Sequence, residues 1–352
     1  MKVSDFDFEL PEQLIAQAPV TPRDASRLLV LPRQGPVAHR AFADLPKLLR
    51  AGDLVIFNDT RVIPARLVGH KADTGGKAEL LLIEPLGGGM GARWRAMGQA
   101  SKALKPGVRI QFGALEATVE AALGDGFYDV LLDREGAELE AALARVGRVP
   151  LPPYIRRDAG SDDVERYQTI FAKSPGSAAA PTAGLHFTPG VLAALEARGV
   201  DRAAVTLHVG PGTFLPFRAE SLEEHQMHEE RYEVPEATVG AFEACRARGG
   251  RVVAVGTTAL RTLESAFSGG RLAAGAGRTS LFVRPGYRFQ TVDLLVTNFH
   301  LPRTTLLVLV CAFGGRQRVL SAYGQAVREK YRFFSYGDAM LVERWEGEAA
   351  SG

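Results

Sequence analysis

The sequence predicts an α/β protein whose main domain is interrupted by a small inserted β-barrel. Three observations lead there. From residue 150 onward, apolar strand-like runs alternate with helical stretches, the pattern of a layered α/β fold. Residues 62–149 instead read as short β runs broken by Gly clusters, as in a small barrel or sandwich. Pro150-Leu151-Pro152-Pro153 punctuates the change between the two patterns. The expected α/β catalytic domain is therefore 1–60 together with 150–345, and the expected insert is 61–149.

The elements follow in order. A short polar arm opens the chain. A strand is expected at 27–31, a helix at 42–49 and a strand at 53–57, which leads into Asn58-Asp59-Thr60-Arg61. In the insert, β runs are expected at 65–69, 78–84, 93–96, 108–112, 117–121 and 127–132. Beyond Pro150, strands are expected at 205–209, 251–255, 280–283 and 294–297, and helices at 189–198, 235–248 and 259–267. The Gly/Ala-rich stretch 269–277 reads as a flexible surface loop. The most apolar run, 306–313, is far too short to span a bilayer and reads as a buried strand or helix segment.

Hydrophobic residues make up 46% of the 352 residues and charged residues 23%, an ordinary globular composition with no disordered or collagen-like bias. The two cysteines, Cys245 and Cys311, lie far apart and offer neither a disulfide framework nor a metal-binding pair. The N-terminal MKVSDFDFELPEQL carries early acids and no long apolar core, unlike a signal peptide, so a cytoplasmic protein with no membrane partner is expected. A net charge of +2 decides nothing about nucleic acid, so local charge matters more. Arg93, Arg95, Lys102, Lys105 and Arg109 occur with no acid between 93 and 113; Arg61, Arg66, His70, Lys71 and Lys77 occur with Asp73 as the lone acid. A barrel with a basic face is a common nucleic-acid platform, against the plainer alternative of a solubilising surface.

The chemistry-bearing residues concentrate in a few turns. Asn298-Phe299-His300-Leu301-Pro302 ends a strand and precedes an apolar run. Polar groups wedged there are costly unless hydrogen-bonded or used, and strand ends in α/β folds are where ligands bind. A satisfied core histidine is the competing reading. His186 and His208 also sit among apolar and turn-forming residues, and five of seven histidines lie between 186 and 300. Histidine titrates near neutral pH and serves as acid, base or neutral partner. Because His186 and His300 stand at element ends, removing either is expected to cost turnover more than folding. His225-x-x-His228 with Glu229 and Glu230 lacks the i, i+4 pair of the familiar zinc helix, so no metal is expected, and Glu223–Arg231 reads as a solvated charged helix. Gly256-Thr257-Thr258 opens a helix and could bind an anion, or Thr could simply cap it. Arg261, one turn on, could contact the same anion or lie on the surface. Gly210-Pro211-Gly212 is a tight turn that permits close backbone approach. No Gly-x-Gly-x-x-Gly follows a strand and no Walker loop occurs, which argues against the usual dinucleotide and P-loop modes.

Read in order, the segments 181–187, 206–214, Met227-His228-x-Glu230-x-Tyr232, 255–258 with Arg261, 297–302, 331–340 and 57–66 resemble the S-adenosylmethionine:tRNA ribosyltransferase-isomerase family of queuosine biosynthesis, nearly end to end. Met97-Gly98-Gln99-Ala100 stands where that family usually has an Arg-Pro pair before Ser101-Lys102, and Arg303-Thr304-Thr305 replaces a more usual Lys-Ser-Thr. The resemblance implies an α/β domain with an inserted barrel, a monomer, no metal and no cofactor, with S-adenosylmethionine consumed as a co-substrate. It implies a tRNA partner carrying 7-aminomethyl-7-deazaguanine. On the matching motifs it places proton-transfer groups at His186, His208, His228, His300 and Asp338. It places S-adenosylmethionine contacts at Thr182, Gly184, Gly210, Gly212, Gly256, Thr257, Thr258, Arg261 and Asn298.

Overall fold

The strands Leu54–Asn58, Val252–Val255 and Leu294–Asn298 are apolar along their length and buried at every position, as parallel strands covered on both faces must be. A computed structural model, which describes residues 1–87, 89–210, 217, 220–225 and 227–347, places them at the centre of a nine-stranded sheet. From one edge the order is Gly275–Thr279, Glu230–Val234, Asp201–Leu207, Leu54–Asn58, Val252–Val255, Leu294–Asn298, Ala339–Glu343, Arg27–Leu31 and Ala38–Ala41. The four strands from Asp201–Leu207 to Leu294–Asn298 are mutually parallel. Ala339–Glu343 runs antiparallel to Leu294–Asn298 and parallel to Arg27–Leu31. One edge of the sheet therefore collects four strand carboxyl ends and the starts of Ala339–Glu343 and Arg27–Leu31.

Two apolar layers hold the sheet. On one face Leu260 and Leu263 of helix Gly256–Ala266 pack with Leu307, Val310 and Phe313 of helix Thr305–Gly314, and with Phe299, Tyr323 and Phe333. On the other, Phe42, Phe57 and Phe187 meet Val191 and Leu195 of helix Pro189–Ala197. The run 306–313 is thus helical. It is apolar all round because it is buried nearly all round.

The insert is a closed six-stranded barrel in the order Phe127–Leu132, Arg93–Ala100, Lys77–Pro85, Arg66–Lys71, Arg109–Phe112 and Leu115–Gly124. Its strands alternate, so Leu80, Leu82, Trp94, Ile110, Phe112 and Val130 fill the interior. Helix Gly136–Val146 adds Leu139, Ala142 and Leu143 to that core. The insert departs after Thr60–Val62, which pairs with Ser174–Ser177, and its two connections run side by side: Arg66 N–H donates to Arg148 O at 3.2 Å, and Arg148 N–H to Arg66 O at 2.9 Å.

Several expectations are corrected. The segment 280–283 is not a strand; the strand is Gly275–Thr279, which begins within the stretch read as a flexible loop and runs past it. Five residue pairs bind it to Glu230–Val234, and Gly277 is needed because a Cβ there would lie 2.5 Å from the Tyr232 hydroxyl. Glycine here serves close approach, not flexibility. The expected helix 42–49 is a 3-10 turn, Phe42–Asp44, followed by one α turn, Leu45–Leu48. Asp201–Leu207 begins and ends before the expected 205–209. Glu223–Arg231 is not a solvated helix: a 3-10 turn, Leu222–Glu224, precedes a strand that starts at buried Glu230. Helices Gly136–Val146 and Arg316–Arg328 and strand Ala339–Glu343 were not anticipated. Among the described residues no single helix is long and apolar enough to cross a membrane.

Barrel closure generates a prediction. Where Arg66–Lys71 passes Arg109–Phe112, a Cβ on Gly69 would lie 2.1 Å from Gln111 O and 2.6 Å from the Phe112 ring. Backbone on a short closing ladder cannot retreat cheaply. Gly69→Ala should cost about 1–3 kcal/mol in chemical denaturation, the usual scale of overpacking; wild-type stability in that variant would show that the seam is loose.

Candidate active site

The strand Leu54–Asn58 ends in an asparagine that ties two parallel strands together. Asn58 Nδ2 donates to Leu207 O at 2.9 Å, and Oδ1 accepts from Leu207 N and Thr60 N, both at 3.1 Å. This fixes Thr60 beneath the next residue of the neighbouring strand, His208, whose Nδ1 lies 2.9 Å from Thr60 Oγ1. Thr60 Oγ1 donates to Ser174 O at 3.5 Å, so its oxygen accepts Nδ1–H and leaves the lone pair on His208 Nε2. Gly176, at φ +136°, lets the ring approach; a Cβ there would be 3.1 Å from the imidazole. Burial, and secondarily Arg231, lowers the His208 pKa to about 4.

His208 lines a cavity of about 430 Å³ between barrel and main sheet. Pro85 and Gly89 come from the barrel side; Thr206, Arg231, Tyr232 and Arg278 come from the sheet. Glu84 of the barrel closes one flank, 3.1 Å from Arg278 and 3.8 Å from Arg231.

Next to it, Gly210 N–H donates to Glu230 Oε1 at 2.9 Å, and Glu230 Oε2 pairs with Arg261 Nη1 in a very short contact. Arg261 Nε also donates to Leu281 O at 3.0 Å. Arg261 is thus neither a surface residue nor a free anion clamp; its charge is matched by a buried carboxylate. Gly256 takes φ +90° and opens helix Gly256–Ala266 directly. Thr257 is buried beside it, and among the described residues Thr258 Oγ1 and Arg261 Nη2 are buried without a partner. The space above Gly256 meets Ala183 of the 3-10 turn Thr182–His186. Gly184 is required in that turn because a Cβ would lie 2.8 Å from Thr169 Cγ2; Thr182 is half-buried at its start.

Farther along the same edge, Asn298 Nδ2 donates to Phe334 O at 3.0 Å, which fixes the amide orientation. The same nitrogen lies 3.2 Å from His186 Nε2, so that nitrogen is the acceptor and Nδ1–H donates to Ser26 Oγ at 2.8 Å. The ring stacks on Phe42 with centroids 5.0 Å apart. His300 Nε2 bonds Thr297 Oγ1 at 2.9 Å, while its backbone N–H donates to Tyr323 Oη at 3.1 Å. Burial lowers both imidazoles to about 3, with Arg332 and Arg23 adding to the effect at His186. Neither ring lines the large cavity. His186 borders a water-sized space of about 20 Å³. The expectation that either could be removed with folding intact is corrected, since both are buried and bonded on the ring.

Asp338 is buried and accepts from the backbone N–H of Arg27 at 3.0 Å and of Arg332 at 2.8 Å, joining a strand start to the preceding turn. His228 is exposed, its ring centroid 5.6 Å from that of Phe127 of the barrel. Gly212 lies outside the described residues. Among the described residues no three His, Cys, Asp or Glu side chains are grouped to hold a metal ion. The structure therefore joins Gly210 and Arg261 through Glu230, with His208 held separately by Thr60, and brings His186 together with Asn298. It keeps His228 apart from both, while Asp338 sits beside the second group, bonded to the backbone of Arg27 and followed by Ala339, which stands opposite Asn298. Sequence reading missed Thr60, Glu230, Ser26 and Tyr323 as site partners. Thr60 and Glu230 lay inside recognised motifs; Ser26 and Tyr323 carried no signal.

A model of the queuosine biosynthesis protein family matches residues 3–342. The chain belongs to this family. A relative from Anaeromyxobacter sp. (strain Fw109-5), named S-adenosylmethionine:tRNA ribosyltransferase-isomerase, is 71% identical over 98% of this chain and 99% of its own length. One of the same name from Azoarcus sp. (strain BH72) is 53% identical over 98% of each chain. A crystal structure of S-adenosylmethionine tRNA ribosyltransferase from Thermotoga maritima is 38% identical, with a TM-score of 0.55 over 96% of this chain and 99% of that one.

The buried neutral histidines set a pH response. Their folded pKa values, about 3 for His186 and His300 and about 4 for His208, lie below the ordinary 6.5. Between pH 6.5 and those values the unfolded chain binds protons that the folded chain refuses. Stability is therefore full above about pH 6.5 and falls on acidification, by at most about 1.4 kcal/mol per pH unit for each group. In denaturant titrations from pH 7 to 5, His300→Gln should show a shallower slope than wild type; equal slopes would mean that His300 is not held neutral.

Proposed function

We propose that this chain transfers and isomerises the ribosyl moiety of S-adenosylmethionine onto 7-aminomethyl-7-deazaguanine at the tRNA wobble position. Epoxyqueuosine-tRNA forms, and adenine and methionine leave. S-adenosylmethionine enters as a consumed co-substrate. The observation that carries the reading is the cavity between barrel and sheet, lined by the one histidine of the predicted set that is both held in a defined tautomer and open to a ligand-sized space.

The chemistry asks for little that the residues lack. A sulfonium acidifies the neighbouring C5′–H and makes methionine a good leaving group, so a base near that carbon is needed. His208 supplies it: neutral at pH 7, its Nδ1 engaged by Thr60, its Nε2 carrying the lone pair. Departing adenine needs a proton, which the conjugate imidazolium or the Tyr232 hydroxyl at the cavity wall can return. The helix start at Gly256-Thr257-Thr258 offers N–H dipoles and an unengaged hydroxyl to a carboxylate. Glu230 and Arg261 hold Gly210 in position behind it. Asn298 with His186, and His300 with Tyr323, hold the strand ends; Asp338 holds the turn beside them.

The test incubates the protein with S-adenosylmethionine and tRNA bearing the modified base, and follows free adenine and the mass of the digested nucleoside. Wild type should release adenine in step with epoxyqueuosine; adenine release without nucleoside change would overturn the assignment. His208→Gln should cut turnover by about 10²-fold or more at an unchanged melting temperature, the usual scale for a lost proton-transfer group. Near-normal turnover in that variant would remove His208 from the chemistry.

A further inference from the structure

Strand alternation turns Phe127, Met97 and Leu81 to the outside of the barrel, while Ala96, Leu80, Leu82 and Val130 face its core. The three are register partners on adjacent strands: Phe127 stands opposite Met97, and Met97 opposite Leu81. Leu81 in turn stands opposite Arg66. An aromatic ring, a thioether and an isobutyl group therefore form one continuous row across three strands and end on a guanidinium. All three are half-buried.

The rows on either side are polar. Asp129, Arg95 and Glu84 form one, with Arg95 Nε 3.0 Å from Asp129. Gln99 and Glu79 begin the other, with Glu79 2.7 Å from Arg66 Nε, and the exposed Val68 opposite Glu79 continues it. These charges are matched within the protein, so the row is a neutral, apolar strip with hydrogen-bonding groups already engaged beside it. It also has a direction. His228 stands over its Phe127 end, and Glu84, in the adjoining row, contacts Arg231 and Arg278 of the cavity wall. The strip thus continues the cavity outward over the barrel. At the rim, Lys102 and Lys105 have no acid partner among the described residues, and Lys71 Nζ donates to Lys102 O at 2.9 Å.

We propose that this row is a stacking platform for an unpaired nucleobase of the RNA substrate, next to the nucleotide that enters the cavity. The proposal rests on the reading of the chain as a tRNA-modifying enzyme. An apolar floor with a cationic rim fits single-stranded RNA, whose bases offer π-faces and whose phosphates sit outside them. A phosphate has no place on the floor itself, because the guanidiniums beside it are already paired.

The test compares wild type, Phe127→Leu, Phe127→Trp and, as a control on the same barrel exterior, Leu131→Ala. The ligand is an anticodon stem-loop RNA with 2-aminopurine placed singly at each loop position. Phe127→Leu should weaken binding by about 5- to 100-fold, the range of one lost base–aromatic stack. It should also relieve the fluorescence quenching at one loop position, and leave the salt dependence and the KM for S-adenosylmethionine unchanged. Phe127→Trp should restore binding and quenching, and Leu131→Ala should match wild type. Unchanged affinity and quenching in Phe127→Leu, with wild type binding RNA, would overturn the platform alone. Loss of self-association in Phe127→Leu, seen by sedimentation with RNA binding intact, would show that the strip covers a second copy and would also overturn it. A wild type that binds no RNA would overturn the functional reading and the platform with it.

Discussion

The side-chain amide of Asn298 is the point on which one half of the site edge depends. It ends a strand buried at every position; its Nδ2 is fully engaged, while its Oδ1 is buried without a partner among the described residues. Its nitrogen reaches His186 on one segment and the Phe334 carbonyl on another. Through His186 the link continues to Ser26, just before Arg27–Leu31. One amide thus joins a strand end, a 3-10 turn and the start of a strand two places away in the sheet. Asn58 does comparable work two strands across, joining its own strand end to Leu207 and Thr60.

The two asparagines create different surroundings. Around Asn298 the gaps are filled by rings: Phe299 packs against Tyr323, Tyr331 and Phe333, all with centroids 5.1–5.3 Å apart. Around Asn58 the neighbouring chain departs for the barrel, and the sheet edge faces a separate body instead of its own helices. Packing cannot close that side completely, and the cavity beside His208 is the result. Two imidazoles buried among rings act as fixed hydrogen-bonding groups. A third, equally neutral, meets open space. Ligand-sized space opens where two packed bodies meet imperfectly.

Much of this was legible in the sequence. The Gly-broken β runs gave the barrel, and Phe127–Leu132 matched residue for residue, because alternation in a small barrel is strict. The strand-end motifs carrying His186, His208 and Asn298 were visible as polar groups trapped among apolar ones. Their partners were not. Thr60 and His208 are separated by 148 positions, Ser26 and His186 by 160, and nothing local records such a contact. Glu230 was read as a solvated acid because its neighbours are charged; its burial follows from a strand that begins there and from Arg261 arriving from a helix. The 269–277 stretch failed for a related reason: its Gly277 answers to the Tyr232 ring on the next strand.

The barrel's charge shows most plainly why linear reading has a limit. The cations between 93 and 113 run without an acid in sequence, yet a strand's nearest neighbours are across the ladder, not along it. Arg93 meets Glu120 at 3.2 Å, Arg95 meets Asp129 at 3.0 Å, and Arg109 lies 3.8 Å from Glu116. Asp129 and Glu116 come from directly paired strands and Glu120 from the strand beyond the paired one, so the apparent basic patch is largely a set of matched pairs. Lys102 and Lys105 sit in the connection between strands, where no ladder supplies a partner. Among the described residues the cations without an acid partner thus include Lys102 and Lys105 in this loop and Lys71 and Lys77 at strand ends, while Arg93, Arg95 and Arg109 on the strands are matched. A polyanion meeting such a surface is drawn to the rim by charge and held on the floor, if at all, by contact with its uncharged parts.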